Sequence, residues 1–185
     1  MREKPKTYFE DPPIAKFLFS DTRLSWIWLP IRVYVGWQWL EAGIQKVQSP
    51  VWVGSHAGVA LQGFVLGAFK KTLGPHPDVA SWYASFLHAV VIPHAALFSY
   101  LVSFGEVAVG IGLILGIFTG IAAFFGAFMN MNYLFAGTVS VNPLLFLFEL
   151  FLILSWKVAG WYGLDRYLLP LLGTPWQAGV LFKKK

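Results

Sequence analysis

Four long apolar segments constrain the fold of this chain more than any other feature of its sequence. The segments cover residues 26–44, 97–117, 120–138 and 143–161. Each is close to the ~20 apolar residues that a helix needs to cross the ~30 Å hydrocarbon core of a bilayer. The composition agrees, because 57% of the residues are hydrophobic and 12% are charged, whereas a soluble domain has about 25% charged residues. The sequence therefore predicts an all-α integral membrane four-helix bundle and excludes a disordered chain or an ordinary soluble enzyme domain.

The connections between the segments predict which helices are neighbours. The last three segments are separated by only a few residues, so their helices must be antiparallel neighbours. Gly112, Gly116 and Gly120 are spaced four residues apart, and this spacing predicts a close approach between helices.

One long connection, residues 46–95, separates the first two segments. It contains two helical-looking pieces, at 59–71 and 79–91, with two prolines and a glycine between them at 74–78. The sequence therefore predicts an extracytoplasmic loop that contains short helices.

Three divisions of the chain follow. Residues 26–161 form the transmembrane domain, residues 1–25 are a cytoplasmic or interfacial segment, and residues 162–185 are an interfacial basic tail.

The distribution of basic residues predicts the orientation in the membrane. With the N-terminus inside, ten basic residues lie on the inner side: Arg2, Lys4, Lys6, Lys16, Arg23, Lys157, Arg166, Lys183, Lys184 and Lys185. Three lie on the outer side: Lys46, Lys70 and Lys71. This bias predicts that both termini are cytoplasmic. Because the bases flank apolar segments, membrane lipids are the expected partner and nucleic acid is not.

Four charged residues lie within the apolar segments: Arg32, Glu41, Glu106 and Glu149. A charge near the bilayer centre costs about 2.5–3.5 kcal/mol on the mildest scale. Arg32 and Glu106 lie at similar depths, so we expect them to form a pair. That pair could fix the helix register or could handle a ligand or protons; alternatively, the two charges could extend separately towards the membrane surfaces.

Helical periodicity predicts that polar side chains from all four helices share one cavity. Its polar lining would be Glu41, Glu106, Asn130 and Glu149, and aromatic walls would come from Trp37, Trp39, Tyr133 and Phe146. Such a cavity suits a quinone headgroup, which needs hydrogen-bond donors and flat apolar surfaces. The alternative is a packed bundle core whose polar groups satisfy one another.

The sequence predicts no haem or metal. It contains no cysteine, and its histidines lie in or beside the long loop without the spacing of a ligand set.

Several short patterns resemble the DoxX/DoxD family of small bacterial and archaeal membrane proteins. They are Arg-Val-Tyr-Val-Gly at 32–36, Ala-Gly-Ile-Gln-Lys at 42–46, the glycine-rich stretch 105–116, Asn-Met-Asn at 130–132 and Gly-Trp-Tyr-Gly-Leu-Asp at 160–165. In order and spacing they cover roughly residues 29–165.

The resemblance implies a four-helix, multi-pass protein of the bacterial or archaeal plasma membrane. The tryptophan-containing outer loop is closer to the DoxD branch, which resembles the membrane subunit of thiosulfate:quinone oxidoreductase. That activity would require a quinone, thiosulfate bound at the outer surface near Lys46, Lys70, Lys71 or a histidine, and a DoxA-like partner or another membrane subunit.

Two functions remain open at this stage: a subunit of a quinone-linked oxidoreductase and a non-catalytic scaffold of a larger complex. For the enzyme, Glu106 and Arg32 are the candidate catalytic residues. The candidate quinone-binding residues are Glu41, Trp39, Asn130, Tyr133 and Glu149.

Overall fold

The computed structural model describes residues 11–173, and throughout that range the secondary structure is helical. The α-helices are α1 (Pro13–Ser20), α2 (Ser25–Val47), α3 (Val59–Lys70), α4 (Ser81–Phe86), α5 (Ala95–Leu115), α6 (Thr119–Phe135), α7 (Asn142–Leu154), α8 (Trp156–Ala159) and α9 (Asp165–Leu172). A 3-10 turn (Thr22–Leu24) precedes α2, and a π-helical turn (Leu87–Val91) follows α4. The all-α class is therefore confirmed. Arg2, Lys4, Lys6 and the three terminal lysines, which contributed to the predicted orientation, lie outside the described residues.

Helices α2 and α5 form the closest pair in the bundle because glycines remove the side chains between them. A Cβ atom on Gly110 would lie 2.6 Å from the backbone nitrogen of Leu40, and one on Gly43 would lie 2.7 Å from that of Val107. Real Cβ atoms essentially never approach so closely, so the crossing requires glycine at both positions.

The close approach predicted for Gly112, Gly116 and Gly120 is confirmed, but each glycine meets a different neighbour. Gly112 faces Ala122 of α6, whereas Gly120 faces Trp156 of α8. Gly116 ends α5 with a positive φ of 66°, a conformation that glycine adopts without the steric cost of a Cβ atom.

Residues 48–94 form a second packed layer at one end of the bundle. Its core joins apolar side chains of α3, α4 and the π turn to Ala136, which follows α6. The Nζ atom of Lys71 donates a 2.6 Å hydrogen bond to the carbonyl oxygen of Gly137, which fastens this layer to the end of α6. We call this end of the bundle the loop face, and the opposite end, which contains the α5–α6 turn, the turn face.

Within the described residues, α5 is the one helix that is both long enough and apolar enough to meet the usual length-and-hydropathy criterion for crossing a membrane. The fourth apolar segment does not form one helix to residue 161, because α7 ends at Leu154. There Ser155 donates its hydroxyl to the carbonyl oxygen of Phe151 at 2.8 Å. A thirteen-residue helix spans only about 20 Å, so α7 is shorter than the helix that the sequence predicts over residues 143–161.

Candidate functional site

Three polar side chains form a hydrogen-bonded chain near the loop face. The Nζ atom of Lys46 lies 2.7 Å from Oε2 of Glu106, and the Tyr133 hydroxyl donates a 2.6 Å hydrogen bond to Oε1 of the same carboxylate. Glu106 is only 1% exposed, whereas the Lys46 side chain is 20% exposed. Helix α2 can approach Glu106 this closely because Gly43 lies opposite it. The chain of side chains therefore leads from the protein surface to a buried carboxylate.

A second buried carboxylate, Glu149, lies between two donors. Trp39 donates its indole N–H to Oε1 at 2.5 Å, and the Asn130 amide donates to Oε2 at 2.7 Å. Gly126 leaves the space for this arrangement, because a Cβ atom there would lie 2.6 Å from Oε1. Within residues 11–173 no basic side chain forms an ion pair with Glu149. Its carboxyl group is held by neutral donors alone.

The two carboxylate groups belong to one cluster because an aromatic pair joins them. The rings of Trp39 and Tyr133 are stacked, with centroids 6.3 Å apart and planes 26° from parallel. We call the six residues the polar core: Trp39, Lys46, Glu106, Asn130, Tyr133 and Glu149. Five of them are candidate site residues from the sequence, and the structure brings these five together.

An apolar groove of about 860 Å³ runs along α5 and α6 beside the polar core. It extends from Ile117 at the turn face to Phe86 in the loop layer. Its lining is almost entirely apolar, and its hydroxyl and amide groups come from Tyr83, Asn132 and Tyr133. The groove is therefore an elongated apolar channel with polar groups near the loop face.

The Tyr83 hydroxyl lies beside the groove, where it binds Asn132. Its hydroxyl donates 3.0 Å hydrogen bonds to the backbone carbonyl and the side-chain oxygen of Asn132. Burial raises the pKa of Tyr83 to about 12, so the hydroxyl keeps its proton at neutral pH.

The predicted ion pair between Arg32 and Glu106 is wrong. The Arg32 guanidinium is buried, and it donates to the carbonyl oxygens of Leu113 at 2.8 Å and Tyr162 at 3.1 Å. Carbonyls in the last turn of a helix lack partners within the helix and carry the negative end of its dipole, so they attract a cation. Lys46 takes the place at Glu106 instead.

Arg32 belongs to a second cluster at the turn face, together with Asp165. The Asp165 carboxylate accepts hydrogen bonds from the backbone N–H groups of Phe118 at 2.6 Å and Thr119 at 2.9 Å. It thereby caps the start of α6, just as Arg32 binds the end of α5. We call Arg32 and Asp165 the turn lock.

Glu41 and Trp37 do not line the polar core as predicted. Both side chains are exposed on α2, Trp37 by 58%. Because they lie on the outward face of a packed helix, they cannot contact a ligand between the helices. Glu41 is therefore removed from the candidate quinone-binding residues.

Lys46 is a residue of the site that the sequence does not predict there. Lys46 lies in the last turn of α2, whereas the apolar pattern predicts that the first helix ends at residue 44 and that Lys46 lies in the loop. A long side chain at a helix end can reach back along the helix surface. The pattern Ala-Gly-Ile-Gln-Lys contained the signal, since Gly43 and Lys46 lie on neighbouring parts of one helix face.

The histidines do not form a site with the other ligand-type residues of the described chain. His56, His76, His88 and His94 are all exposed. Within residues 11–173 no group of three or more His, Cys, Asp or Glu side chains is positioned to hold a metal ion.

Comparison with known proteins gives one family match. The family model described as "TQO small subunit DoxD" matches residues 27–180, a region that includes every residue of the polar core and of the turn lock. Neither the curated proteins nor the solved structures give a match.

Proposed function

The chain belongs to the DoxD family, and from that premise we propose that it is the membrane subunit of a thiosulfate:quinone oxidoreductase. In this role it would bind a membrane quinone in the groove beside the polar core. The carrying observation is that Tyr133 lines the apolar groove and is hydrogen-bonded to buried Glu106.

The outer surface of the bundle supports a membrane location. Large apolar side chains on α6 are more than half exposed, among them Ile121, Phe124 and Phe128. A contiguous apolar surface of this kind is unfavourable in water and favourable in lipid. The proposed topology has several membrane spans, with both termini cytoplasmic and the loop face outside.

The groove fits a quinone in both size and chemistry. Its volume of about 860 Å³ lies within the range of ligand pockets, which are mostly apolar with a few placed polar groups. The long apolar part would hold a hydrocarbon tail, and the headgroup would lie at the polar end near Tyr133.

The polar core would position the headgroup and supply hydrogen bonds to it. Tyr133 is held by Glu106 on one side and by the stacked ring of Trp39 on the other. When Glu106 carries a proton, it can donate to the Tyr133 oxygen, and the Tyr133 hydroxyl is then free to donate to a carbonyl in the groove. Glu106 and Tyr133 are therefore the proposed catalytic and headgroup-binding residues.

The overall reaction requires a reductant and a partner. Two thiosulfate ions lose two electrons and join as tetrathionate, while one quinone gains two electrons and two protons to become the quinol. We propose that thiosulfate is oxidised at the loop face, where Lys70 is exposed, together with a DoxA-like subunit. Arg32 has a structural role in this proposal, because its guanidinium binds backbone carbonyls at the turn face.

Replacement of Tyr133 by Phe tests the proposal. The change removes the hydroxyl and keeps the ring that stacks on Trp39, so the fold should be retained. Thiosulfate-dependent quinone reduction by the complex should fall at least tenfold, with weaker quinone binding measured by quenching of tryptophan fluorescence. Tyr100→Phe is the matched control, because the Tyr100 hydroxyl accepts an exposed bond from the Gly54 N–H, outside the groove.

A scaffold role is the alternative, supported by the fact that every carboxylate oxygen of the polar core already has a partner within the protein. In that case the wild-type complex would bind no quinone at the groove. Tyr133→Phe would then change thermal stability and leave the activity of the complex at its wild-type value.

A further inference from the structure

We propose that Lys46, Glu106 and Tyr133 form a proton path from the loop face to the groove, with Lys46 as the entry residue. This inference rests on the proposed function and adds to it the direction from which the reaction takes its protons. It gives a chemical role to Lys46, which is the last residue of the family-like pattern Ala-Gly-Ile-Gln-Lys.

The entry end of the path is accessible to water. The Lys46 side chain is 20% exposed, while its Nζ atom reaches Oε2 of Glu106 at 2.7 Å. The ammonium group lies 5.3 Å from the centroid of the Trp52 ring, and a cation is attracted to the face of an aromatic ring at this distance. Lys46 is therefore held in one position between solvent and the buried carboxylate.

The inner end of the path meets the ligand space. Glu106 is sealed from solvent, and its second oxygen accepts from Tyr133 at 2.6 Å. Tyr133 in turn lines the groove. Two short hydrogen bonds thus connect a surface ammonium group to the wall of the groove, with no gap that would require an additional water molecule.

Proton transfer along this path is balanced. The Lys46 ammonium group first gives a proton to the Glu106 carboxylate. Glu106 passes this proton to the Tyr133 oxygen while the Tyr133 hydroxyl gives its own proton to an oxygen of the reduced quinone. Lys46 then takes a proton from water at the loop face. Two such cycles deliver the two protons of the quinol, and the two electrons come from two thiosulfate ions.

Two other buried polar clusters in residues 11–173, those around Glu149 and Arg32, do not provide an equivalent path. Glu149 and its donors Trp39 and Asn130 are all buried, so this group has no exposed entry residue. The Arg32 guanidinium lies at the turn face against backbone carbonyls, which accept hydrogen bonds but do not carry protons onward.

The direction of proton uptake tests the path without any substitution in it. The complete complex is reconstituted in vesicles with one pH-sensitive dye inside and another outside. The face of the membrane that carries the loop layer is identified from a single cysteine at Ser55, the one cysteine that this chain then contains. With decylubiquinone and thiosulfate supplied, we expect alkalinisation on the Ser55 side. Alkalinisation on the opposite side would contradict the path while leaving the proposed function intact.

Two substitutions give a second, independent test. Lys46→Met and Glu106→Gln should each lower kcat at least tenfold while changing the quinone KM by less than threefold. The matched control is Glu41→Gln, since Glu41 is an exposed carboxylate on the same helix as Lys46 and should leave kcat unchanged.

The possible failures are distinguishable. Wild-type kcat in folded Lys46→Met would overturn the path alone. If a substituted protein does not fold, the direction of uptake by the wild-type complex still decides the question. Absence of quinone binding by the wild-type complex would overturn the proposed function and the path together.

Discussion

Glu106 and Glu149 are both buried carboxylates, but the protein stabilises them differently. Glu106 has a lysine partner, whereas Glu149 has an indole N–H and an amide. Removing one partner of a buried polar group leaves the other unsatisfied, at a cost of about 1–3 kcal/mol. The partners of each carboxylate therefore decide how a substitution at that residue affects stability.

Glu149→Gln should lower the free energy of unfolding by about 1–3 kcal/mol. Glutamine puts an NH2 group in place of one of the two oxygens, Oε1 and Oε2, that accept from Trp39 and Asn130, so one of these acceptors is lost. Combined with Trp39→Phe, the loss should be smaller than the sum of the two single losses, because both changes remove the same bond. The free energies of unfolding of the two single variants and the double variant are measured in detergent. Strict additivity of these free energies would contradict the contact between Trp39 and Glu149.

Arg32→Lys and Glu106→Gln should have additive effects on stability, within about 0.5 kcal/mol. The two side chains have separate partners: backbone carbonyls for Arg32, and Lys46 and Tyr133 for Glu106. Arg32→Lys alone should destabilise the protein, because one ammonium group cannot match the forked guanidinium that reaches Leu113 and Tyr162. A coupling energy above about 1 kcal/mol between the two substitutions, measured by unfolding in detergent, would contradict these separate partners and support the direct pair of Arg32 and Glu106.

At the scale of helices, the α2–α5 crossing determines the geometry of the site. Lys46 and Trp39 lie on α2, and Glu106 lies on α5, so the distance between these helices determines whether Lys46 reaches Glu106. Gly43 and Gly110 allow that approach. Any side chain at either position must push the helices apart.

Gly110→Ala should reduce the free energy of unfolding by about 1–3 kcal/mol, the usual cost of overpacking. The new Cβ atom would lie 2.6 Å from the backbone nitrogen of Leu40, which cannot move without displacing α2. Gly63→Ala is the matched control, since a Cβ atom there meets nothing within 4 Å and alanine favours a helix by about 0.5–1 kcal/mol over glycine. Equal melting temperatures for the two variants would contradict the close crossing.

At the scale of the whole molecule, the two faces have different roles. The turn face holds the turn lock, in which Arg32 of α2 binds the end of α5 and the segment before α9, and Asp165 of α9 binds the start of α6. The loop face holds the second packed layer and the exposed end of the polar core. If α2 crosses the membrane, these two faces meet different compartments.

Single cysteines at Ser20 and Ser55 should react from opposite sides of the membrane. Both serines are exposed, and α2 lies between them. Its 23 residues give about 35 Å of helix, enough to cross a bilayer. A cysteine at Ser140, which is exposed after α6, should react with the Ser55 side. Labelling by an impermeant maleimide in intact cells shows on which side of the membrane each cysteine is accessible. If the cysteines at Ser20 and Ser55 react from the same side, the proposed span is contradicted.

The sequence by itself determined the helical class and most of the residues that form the site. Long apolar segments can satisfy their backbone in lipid only as helices, and the charged or amide side chains of Glu106, Glu149 and Asn130 must face inward because exposure to lipid is costly. These inferences depend only on the position of a residue along one helix. They do not depend on how the neighbouring helices pack against it.

The tertiary structure alone decided which polar groups are partners. Depth in a segment suggested that Arg32 meets Glu106, but pairing also depends on how each helix is rotated and how closely it crosses its neighbour. Gly43 and Gly110 set that crossing, and it places Lys46 at Glu106 while Arg32 reaches the end of α5. A glycine in the sequence shows that a side chain is absent, but it does not show which helix packs against that position. Only the packed structure identifies that neighbour.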